Sequence, residues 1–90
     1  MGKDIIKNIP KVSNFTGAVN QFEIIGKDFT LFQSYNSSIA LKQNGKTYIF
    51  RDWDCSKTTG KYRNLFLGES KTETLKKLKN KTYIAVDFEV

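Results

Sequence analysis

Histidine is absent from the 90 residues, and cysteine occurs once, at Cys55. Without histidine the chain lacks the side chain that most often serves as a metal ligand and as a general base near neutral pH. One cysteine forms no internal disulfide. A structural zinc site and the Ser-His-Asp and Cys-His catalytic groups are therefore excluded. We expect a protein that is not an enzyme and that needs no cofactor.

Proline also occurs once, at Pro10, and no apolar run is long enough for a signal peptide or a membrane-spanning helix. The sequence therefore predicts a soluble protein without an export signal or a membrane partner. Seven Phe, four Tyr and one Trp argue against disorder, because aromatic burial offsets the entropy lost on folding. The length predicts a single domain over residues 1–90.

An extended or one-turn lead-in is expected over residues 1–19, where Pro10 follows a short apolar patch of Ile5, Ile6 and Ile9. A β-meander is predicted over residues 20–53. Its first hairpin, "QFEIIGKDFTLF", closes with a type II′ turn at Gly26-Lys27. Four apolar side chains then share one face, with Ile24 opposite Phe29 and Phe22 opposite Leu31.

The second hairpin, "SSIALKQNGKTYIFRDW", contains Asn44-Gly45, the preferred type I′ turn. Its register places Leu41 opposite Tyr48, and Ile39 opposite Phe50. We expect the other face, with Ser38, Lys42, Thr47 and Arg51, to be solvated. Because the link "QSYNS" is short, the two hairpins predict four consecutive antiparallel strands.

After Trp53 the apolar period becomes helical. A short helix is predicted from about Thr58 to Leu67, ending at Gly68, with a buried side of Tyr62, Leu65 and Phe66. A second helix begins at the capping box of Ser70 and Glu73 and stops near Asn80, with Leu75 and Leu78 on its buried side. Residues 82–90 alternate as a closing strand. The predicted fold is α+β in the order ββββααβ, an antiparallel four- to five-stranded sheet with both helices on one face.

The positive charge is concentrated in one region. Residues 55–81 hold eight basic and two acidic residues, a net charge of +6, whereas the rest of the chain is neutral. This region contains the basic helical half, which we define as residues 56–80. A charge asymmetry of this size favours an anionic partner, either nucleic acid or an acidic protein surface. A lysine-rich, solvated helix face that binds no polyanion is the alternative interpretation.

The segment "TTGKY" partly resembles a phosphate-binding loop. The full pattern fails because Cys55 stands where the first glycine belongs and Tyr62 follows the lysine. Hydroxyls, a glycine and free N–H groups at a helix start could still hold a phosphate or carboxylate. Alternatively, Ser56, Thr58 and Thr59 are capping residues.

Asp52 and Asp54 flank Trp53, and two carboxylates at this spacing can coordinate Mg²⁺. The alternative is a strand end in which Trp53 anchors the helix to the sheet.

Cys55 is predicted to be buried or incidental, because no partner for catalysis is present. Tyr48 and Phe50 could stack on single-stranded bases, but the hairpin register predicts that they belong to the core.

We therefore predict a partner- or phosphate-binding site at the hydroxyls and cations of the basic helical half. Its residues are Ser56, Lys57, Thr58, Thr59, Lys61, Arg63, Lys71, Lys76 and Lys77. No catalytic residue and no metal ligand is predicted. The oligomeric state is left open by the sequence.

Two longer stretches, "FQSYNSSIALKQNGKTYIF" and "WDCSKTTGKYRNLFLGESKTETLKKLKNKTY", resemble a family of small proteins encoded by phages and prophages of Gram-positive bacteria. The shared signature resembles SYxSxIA, NGK, W-D-x-S-x-T-T-x-K and FLGE, over residues 32–83. It covers Ser34, Tyr35, Asn44, Gly45, Trp53, Ser56, Thr58, Thr59, Lys61 and Phe66. Cys55 departs from the tyrosine expected there. The resemblance implies a phage accessory protein in the host bacterial cytoplasm, without an established activity.

The resemblance and the missing catalytic groups lead to two leading functional hypotheses, far ahead of a third in which the chain is an enzyme that uses Asp52 and Asp54 with a metal ion. In the first, the chain binds a host protein or ribonucleoprotein complex and inhibits a host defence system, as anti-CRISPR proteins do. In the second, it binds DNA or RNA as an accessory protein of phage replication or gene control.

Overall fold

The computed structural model describes residues 9–90, so Ile5 and Ile6 of the predicted lead-in lie outside the described residues. Six strands form one sheet in the order β1-β2-β3-β4-β5-β6, and two helices lie between β5 and β6 in the chain. The strands are β1 Lys11–Asn14, β2 Gln21–Ile25, β3 Phe29–Ser34, β4 Ser37–Gln43, β5 Lys46–Phe50 and β6 Ile84–Val86. The helices are α1 Lys57–Leu67 and α2 Lys71–Lys79, and Phe15–Gly17 forms a 3₁₀ turn. The predicted α+β class is confirmed.

The second hairpin has the predicted turn and register. Asn44 and Gly45 have φ values of 51° and 76°, as a type I′ turn requires. Leu41 lies opposite Tyr48. The dipeptide therefore fixes the pairing of β4 with β5.

The first hairpin has a different register from the predicted one. Ile24 lies opposite Leu31, and Phe22 lies opposite Gln33, so the pairing is shifted by two residues. The loop is residues 26–28, in which Gly26 N–H donates to the carbonyl of Phe29 at 2.9 Å. A side chain at Gly26 would collide with the ring of Phe29. The glycine thus permits the close approach of this ring, and its φ is not positive as a type II′ turn would require.

The two edge strands also differ from expectation. Part of the predicted lead-in forms β1, which pairs antiparallel with β2 and places Val12 opposite Ile24. The closing strand is short and runs parallel to β5. The parallel direction follows from the two helices, which return the chain to the end of the sheet where β5 begins.

The core lies between the helices and one face of the sheet. Phe32, Ala40 and Ile49 from the strands cluster with Phe66 of α1 and Leu78 of α2. Because side chains alternate along a strand, this is the face that also carries Lys42 and Thr47. The prediction that this face is solvated is therefore wrong, and the face with Leu41 and Tyr48 is the one that lacks the helices.

Two local features explain why the helices pack on this face. A β-bulge between β3 and β4 leaves Ile39 as an extra residue, and both Ile39 and Ala40 are fully buried in the core cluster. Lys42 is accommodated because its ammonium donates to the carbonyl of Phe66 at 2.7 Å and lies 4.4 Å from that ring's centre. Lys42 thus satisfies a carbonyl in the last turn of α1.

Both helices begin and end close to the predicted residues. Gly68 follows α1 in the left-handed conformation, with a φ of 69°, and Ser70 Oγ accepts from Glu73 N–H at 3.3 Å. The buried side of α1 agrees with the prediction at Tyr62 and Phe66 but not at Leu65, which is 56% exposed. It also includes Thr59 and Arg63. Among the described residues, neither helix has the length and apolar character needed to cross a membrane.

Candidate binding surface on the helical half

The hydroxyl side chains of the predicted site hold the start of α1. Ser56 is the N-cap residue, and its Oγ accepts from Thr59 N–H at 3.1 Å. The Thr59 hydroxyl is buried and bonds the Ser34 hydroxyl of β3 at 2.8 Å. Thr58 is exposed. Ser56 therefore caps the helix and Thr59 fastens it to the sheet, so the capping interpretation is correct for Ser56 but not for Thr58 or Thr59.

Arg63 is an internal anchor of the fold. Its side chain is 2% exposed, and its guanidinium donates to the carbonyl of Trp53 at 2.7 Å and to Asn64 Oδ1 at 3.0 Å. It also lies 4.9 Å from the Trp53 ring. Trp53 itself belongs to the core cluster, so it anchors α1 to the sheet as expected. The predicted direct contact of Arg63 with a partner is not supported, because its charge is turned inward.

Asp54 neutralises part of the basic surface. One of its carboxylate oxygens lies 3.3 Å from Arg63, and the other lies 2.6 Å from the Lys71 ammonium. Partial burial raises the pKa of Asp54, but the hydrogen bonds from Lys71 and Arg63 outweigh it, and the pKa is lowered. Lys71 is thus exposed but ion-paired, and Asp54 holds the start of α2 against the start of α1.

Glu69 organises a second polar cluster that the sequence does not predict. Its side chain is 6% exposed and accepts hydrogen bonds from Lys77 at 2.7 Å, Thr74 at 2.7 Å and Tyr83 at 2.8 Å. Burial raises the pKa of Glu69, but these three donors outweigh it, so the pKa lies below its ordinary value. The Tyr83 pKa is raised by burial and by the Glu69 charge. The Lys77 ammonium is therefore bonded within this cluster and is less available to contact a partner.

The lysines that remain available lie on the outer side of the helices. Lys57 and Lys61 are exposed and one helical turn apart, and neither forms an ion pair with another residue in 9–90. Lys76 is exposed, and its ammonium lies 3.7 Å from the Glu73 carboxylate, which is a long distance for an ion pair. Five of the nine predicted site residues line one shallow depression beside α1: Ser56, Lys57, Lys61, Arg63 and Lys71. The structure thus brings these five residues together. Lys76 and Lys77 of the predicted site lie on α2, outside this depression.

The other candidate groups have structural surroundings. Asp52 accepts from the Ser37 hydroxyl at 2.9 Å, which leaves Asp52 and Asp54 in separate networks. In residues 9–90, no three acidic or cysteine side chains come together as metal ligands would. Cys55 is exposed, so of the two predicted possibilities, buried or incidental, the buried one is wrong, and its thiol lies 3.5 Å from the Thr59 hydroxyl. Tyr48 and Phe50 lie outside the core cluster, so the prediction that they are core residues is wrong.

Thr59 and Arg63 belong to the predicted contact residues, but a recognisable sequence signal exists for their burial. Thr59, Arg63 and Phe66 lie at intervals of four and three residues, the spacing of one helix face. A buried arginine breaks the expectation that charges lie on the solvated side. No comparable sequence pattern marks Glu69, since its three donors come from positions five, eight and fourteen residues later in the chain.

Fold and surface together define a small α+β domain in which a sheet supports two helices with an exposed lysine surface. The chain belongs to the DUF8033 family, a family of unknown function, which it matches over residues 5–83. No curated protein and no solved structure matches the chain significantly.

Proposed function

We propose that the chain is a non-enzymatic binding protein that contacts an anionic partner through the exposed lysines of α1 and α2. The observation that carries this proposal is the pair Lys57 and Lys61, which are exposed without a carboxylate partner among residues 9–90. Lys76 adds a third exposed cation with only a long contact to Glu73. These cations are free to meet phosphates or carboxylates of a partner.

The first candidate partner is a host defence complex. Under this proposal the chain is a phage protein of the anti-CRISPR type in the host bacterial cytoplasm, and it binds stoichiometrically. Support comes from the resemblance of residues 32–83 to small phage proteins. The lysine surface would then bind an acidic protein patch or the RNA of a ribonucleoprotein.

The second candidate partner is nucleic acid during phage replication or gene control. The spacing of Lys57 and Lys61 favours it, because cations one helical turn apart can contact neighbouring phosphates of one strand. The buried positions of Arg63 and Thr59 argue against base-specific recognition by these residues. We therefore expect any nucleic-acid binding to be electrostatic and weakly dependent on sequence.

A pair of matched triple variants tests the lysine surface. Lys57→Gln, Lys61→Gln and Lys76→Gln remove three charges from the helices, whereas Lys11→Gln, Lys27→Gln and Lys46→Gln remove three exposed charges from the sheet and its loops. Binding to fluorescent single- and double-stranded DNA and RNA is measured by anisotropy at increasing salt. The logarithm of the affinity of the wild type should fall with the logarithm of salt by about 0.7–0.9 per phosphate contacted.

If nucleic acid is the partner, the helix variant reduces this salt slope by about two to three, and the sheet variant leaves it nearly unchanged. If no nucleic acid binds at low salt, the second candidate is contradicted.

The first candidate is then tested by expressing each variant in a bacterium with an active CRISPR system. Loss of immunity with the wild type and the sheet variant, but not with the helix variant, is expected; intact immunity in all three contradicts it.

A further inference from the structure

A continuous row of apolar side chains crosses all six strands on the open face of the sheet. Each member of the row lies directly opposite the next one in the pairing register. From β1 to β6 the row is Val12, Ile24, Leu31, Leu41, Tyr48 and Ile84. In a single sheet with one solvated face, polar residues are expected at these positions.

This face is separate from the core. The strand residues next to the row, such as Ala40 and Ile49, pack against the helices, whereas no member of the row belongs to the core cluster or packs against it. Val12 is 64% exposed and Ile84 is 39% exposed, at the two ends of the row. The period of two places Phe22, Phe29, Phe50 and Val86 on the same face. Ten apolar side chains therefore share a surface that neither α1 nor α2 covers.

The open face is also nearly uncharged. Within the described strands, Lys46 is the only charged residue at a position on this face. The positive excess of residues 55–81 lies on the opposite side of the sheet, with the helices. A nucleic acid or an acidic protein would find one cation here, so the surface chemistry favours an apolar and uncharged partner surface.

We propose that this open face is the interface of a homodimer, in which a second copy packs face to face on the first. Two such sheets about 10 Å apart form an α/β/β/α sandwich with all four helices outside. The interface pairs two neutral faces, and the basic helices of the two copies lie on opposite outer sides. Their separation, about 30 Å for two sheets with helix layers outside, exceeds the Debye length of about 8 Å at physiological salt.

The area of the face is sufficient for a specific dimer. Six strands about 4.8 Å apart, with about five residues each at about 3.3 Å, give a footprint of about 25 by 17 Å. Because side chains protrude from the sheet, such a face exposes more area than its footprint, roughly 500–600 Å² per copy. This is more than single scattered apolar residues contribute. Two copies would then bury about 1,000–1,200 Å², which meets the lower limit of a specific interface.

Sedimentation velocity of the full chain tests the proposal. The wild type should sediment with twice the chain mass of 10.3 kDa at about 100 μM and dissociate on dilution. Leu41→Lys places a charge in the middle of the row and should weaken the dimer at least about 100-fold. Ile84→Lys at the end of the row should weaken it by about 10-fold. Leu65→Lys is the matched control, because Leu65 is 56% exposed on α1 and should leave the dimer unchanged.

Circular dichroism of each variant verifies that it remains folded. A wild type that is monomeric up to about 500 μM contradicts the proposal. It does so also if residues 1–8 or another protein, and not a second copy, covers the face. A folded Leu41→Lys that dimerises like the wild type also contradicts it, as does a monomeric Leu65→Lys. The dimer should persist at high salt, where electrostatic binding by the helices is lost, so this result and the proposed function can fail independently.

Discussion

The helices and the sheet bury polar and apolar side chains in different proportions. In α1 and α2 the buried side chains include three polar ones, Thr59, Arg63 and Thr74, beside Phe66 and Leu78. Strands β2 to β5 bury four apolar residues and two polar ones, Gln21 and Ser34, and they also carry apolar residues on their other face. Hydrogen bonds of buried polar side chains therefore stabilise the position of the helices. The sheet, in contrast, carries apolar side chains beyond those that pack in the core. Substitutions that remove polar partners of the helices should lower the free energy of unfolding, and polar substitutions on the open sheet face should affect association more than folding.

The largest effect is expected for Arg63→Met, which keeps much of the volume and removes the guanidinium. The carbonyl of Trp53 and the carboxylate of Asp54 then lose a buried donor, and the free energy of unfolding should fall by about 3 kcal/mol. Arg51→Met is the matched control, because Arg51 donates to the carbonyl of Asp87 at 2.8 and 3.0 Å but is exposed. Its loss should stay below about 1 kcal/mol. Equal losses in urea unfolding would remove the contrast between the two regions.

A smaller effect is expected for Glu69→Gln, which keeps the shape of the side chain and removes its charge. The partly buried hydrogen bonds from Lys77, Thr74 and Tyr83 weaken, so the free energy of unfolding at neutral pH should fall by about 2 kcal/mol. Glu73→Gln is the control, because Glu73 is exposed and its contact to Lys76 is 3.7 Å. It should change stability by less than about 0.5 kcal/mol.

The same carboxylate predicts a pH dependence. The pKa of Glu69 in the folded state lies below the ordinary value of 4.5, so the unfolded chain binds its proton first. The stabilisation is complete above pH 4.5 and is lost as the pH falls from 4.5 through the lower pKa of the folded state. Thermal unfolding from neutral to acid pH should show this loss in the wild type and a flatter dependence in Glu69→Gln. An identical acid limb in both proteins would contradict the assignment.

Local chemistry explains which parts of the fold the sequence predicts. Asn44-Gly45, Gly68 and the capping box of Ser70 act within a few residues, and each has the predicted conformation. The strand β1 has one apolar residue, Val12, and all four of its residues are exposed, so no alternation marks it. The choice of the core face fails because both faces of the meander carry apolar residues, and the bulge at Ile39 moves one of them to the helix side.

The candidate site is predictable only as a region of charge. The count of basic residues finds the surface of Lys57, Lys61 and Lys76, but it does not separate free cations from anchors. Arg63 is an anchor because it is buried beside Trp53, and Lys77 is one because Glu69 is buried beneath it. Both arrangements depend on tertiary contacts between residues eight or ten positions apart.

The smallest effects are expected for alanine at one glycine in each region, because both glycines have a left-handed backbone conformation. Gly45 and Gly68 have φ values of 76° and 69°, and a Cβ at either would meet nothing within 4 Å. Alanine at each position should therefore cost only the strain of a left-handed residue, about 1 kcal/mol. Because the Thr59–Ser34 bond and the common core join α1 to the sheet, we expect both variants to lower the global stability equally and the double variant to lose about 2 kcal/mol. Urea unfolding and native-state hydrogen exchange measure this: Gly68→Ala should raise exchange in both regions. Faster exchange confined to the helices would show that they open independently of the sheet, and that the polar contacts of α1 and α2 stabilise a separate cooperative unit.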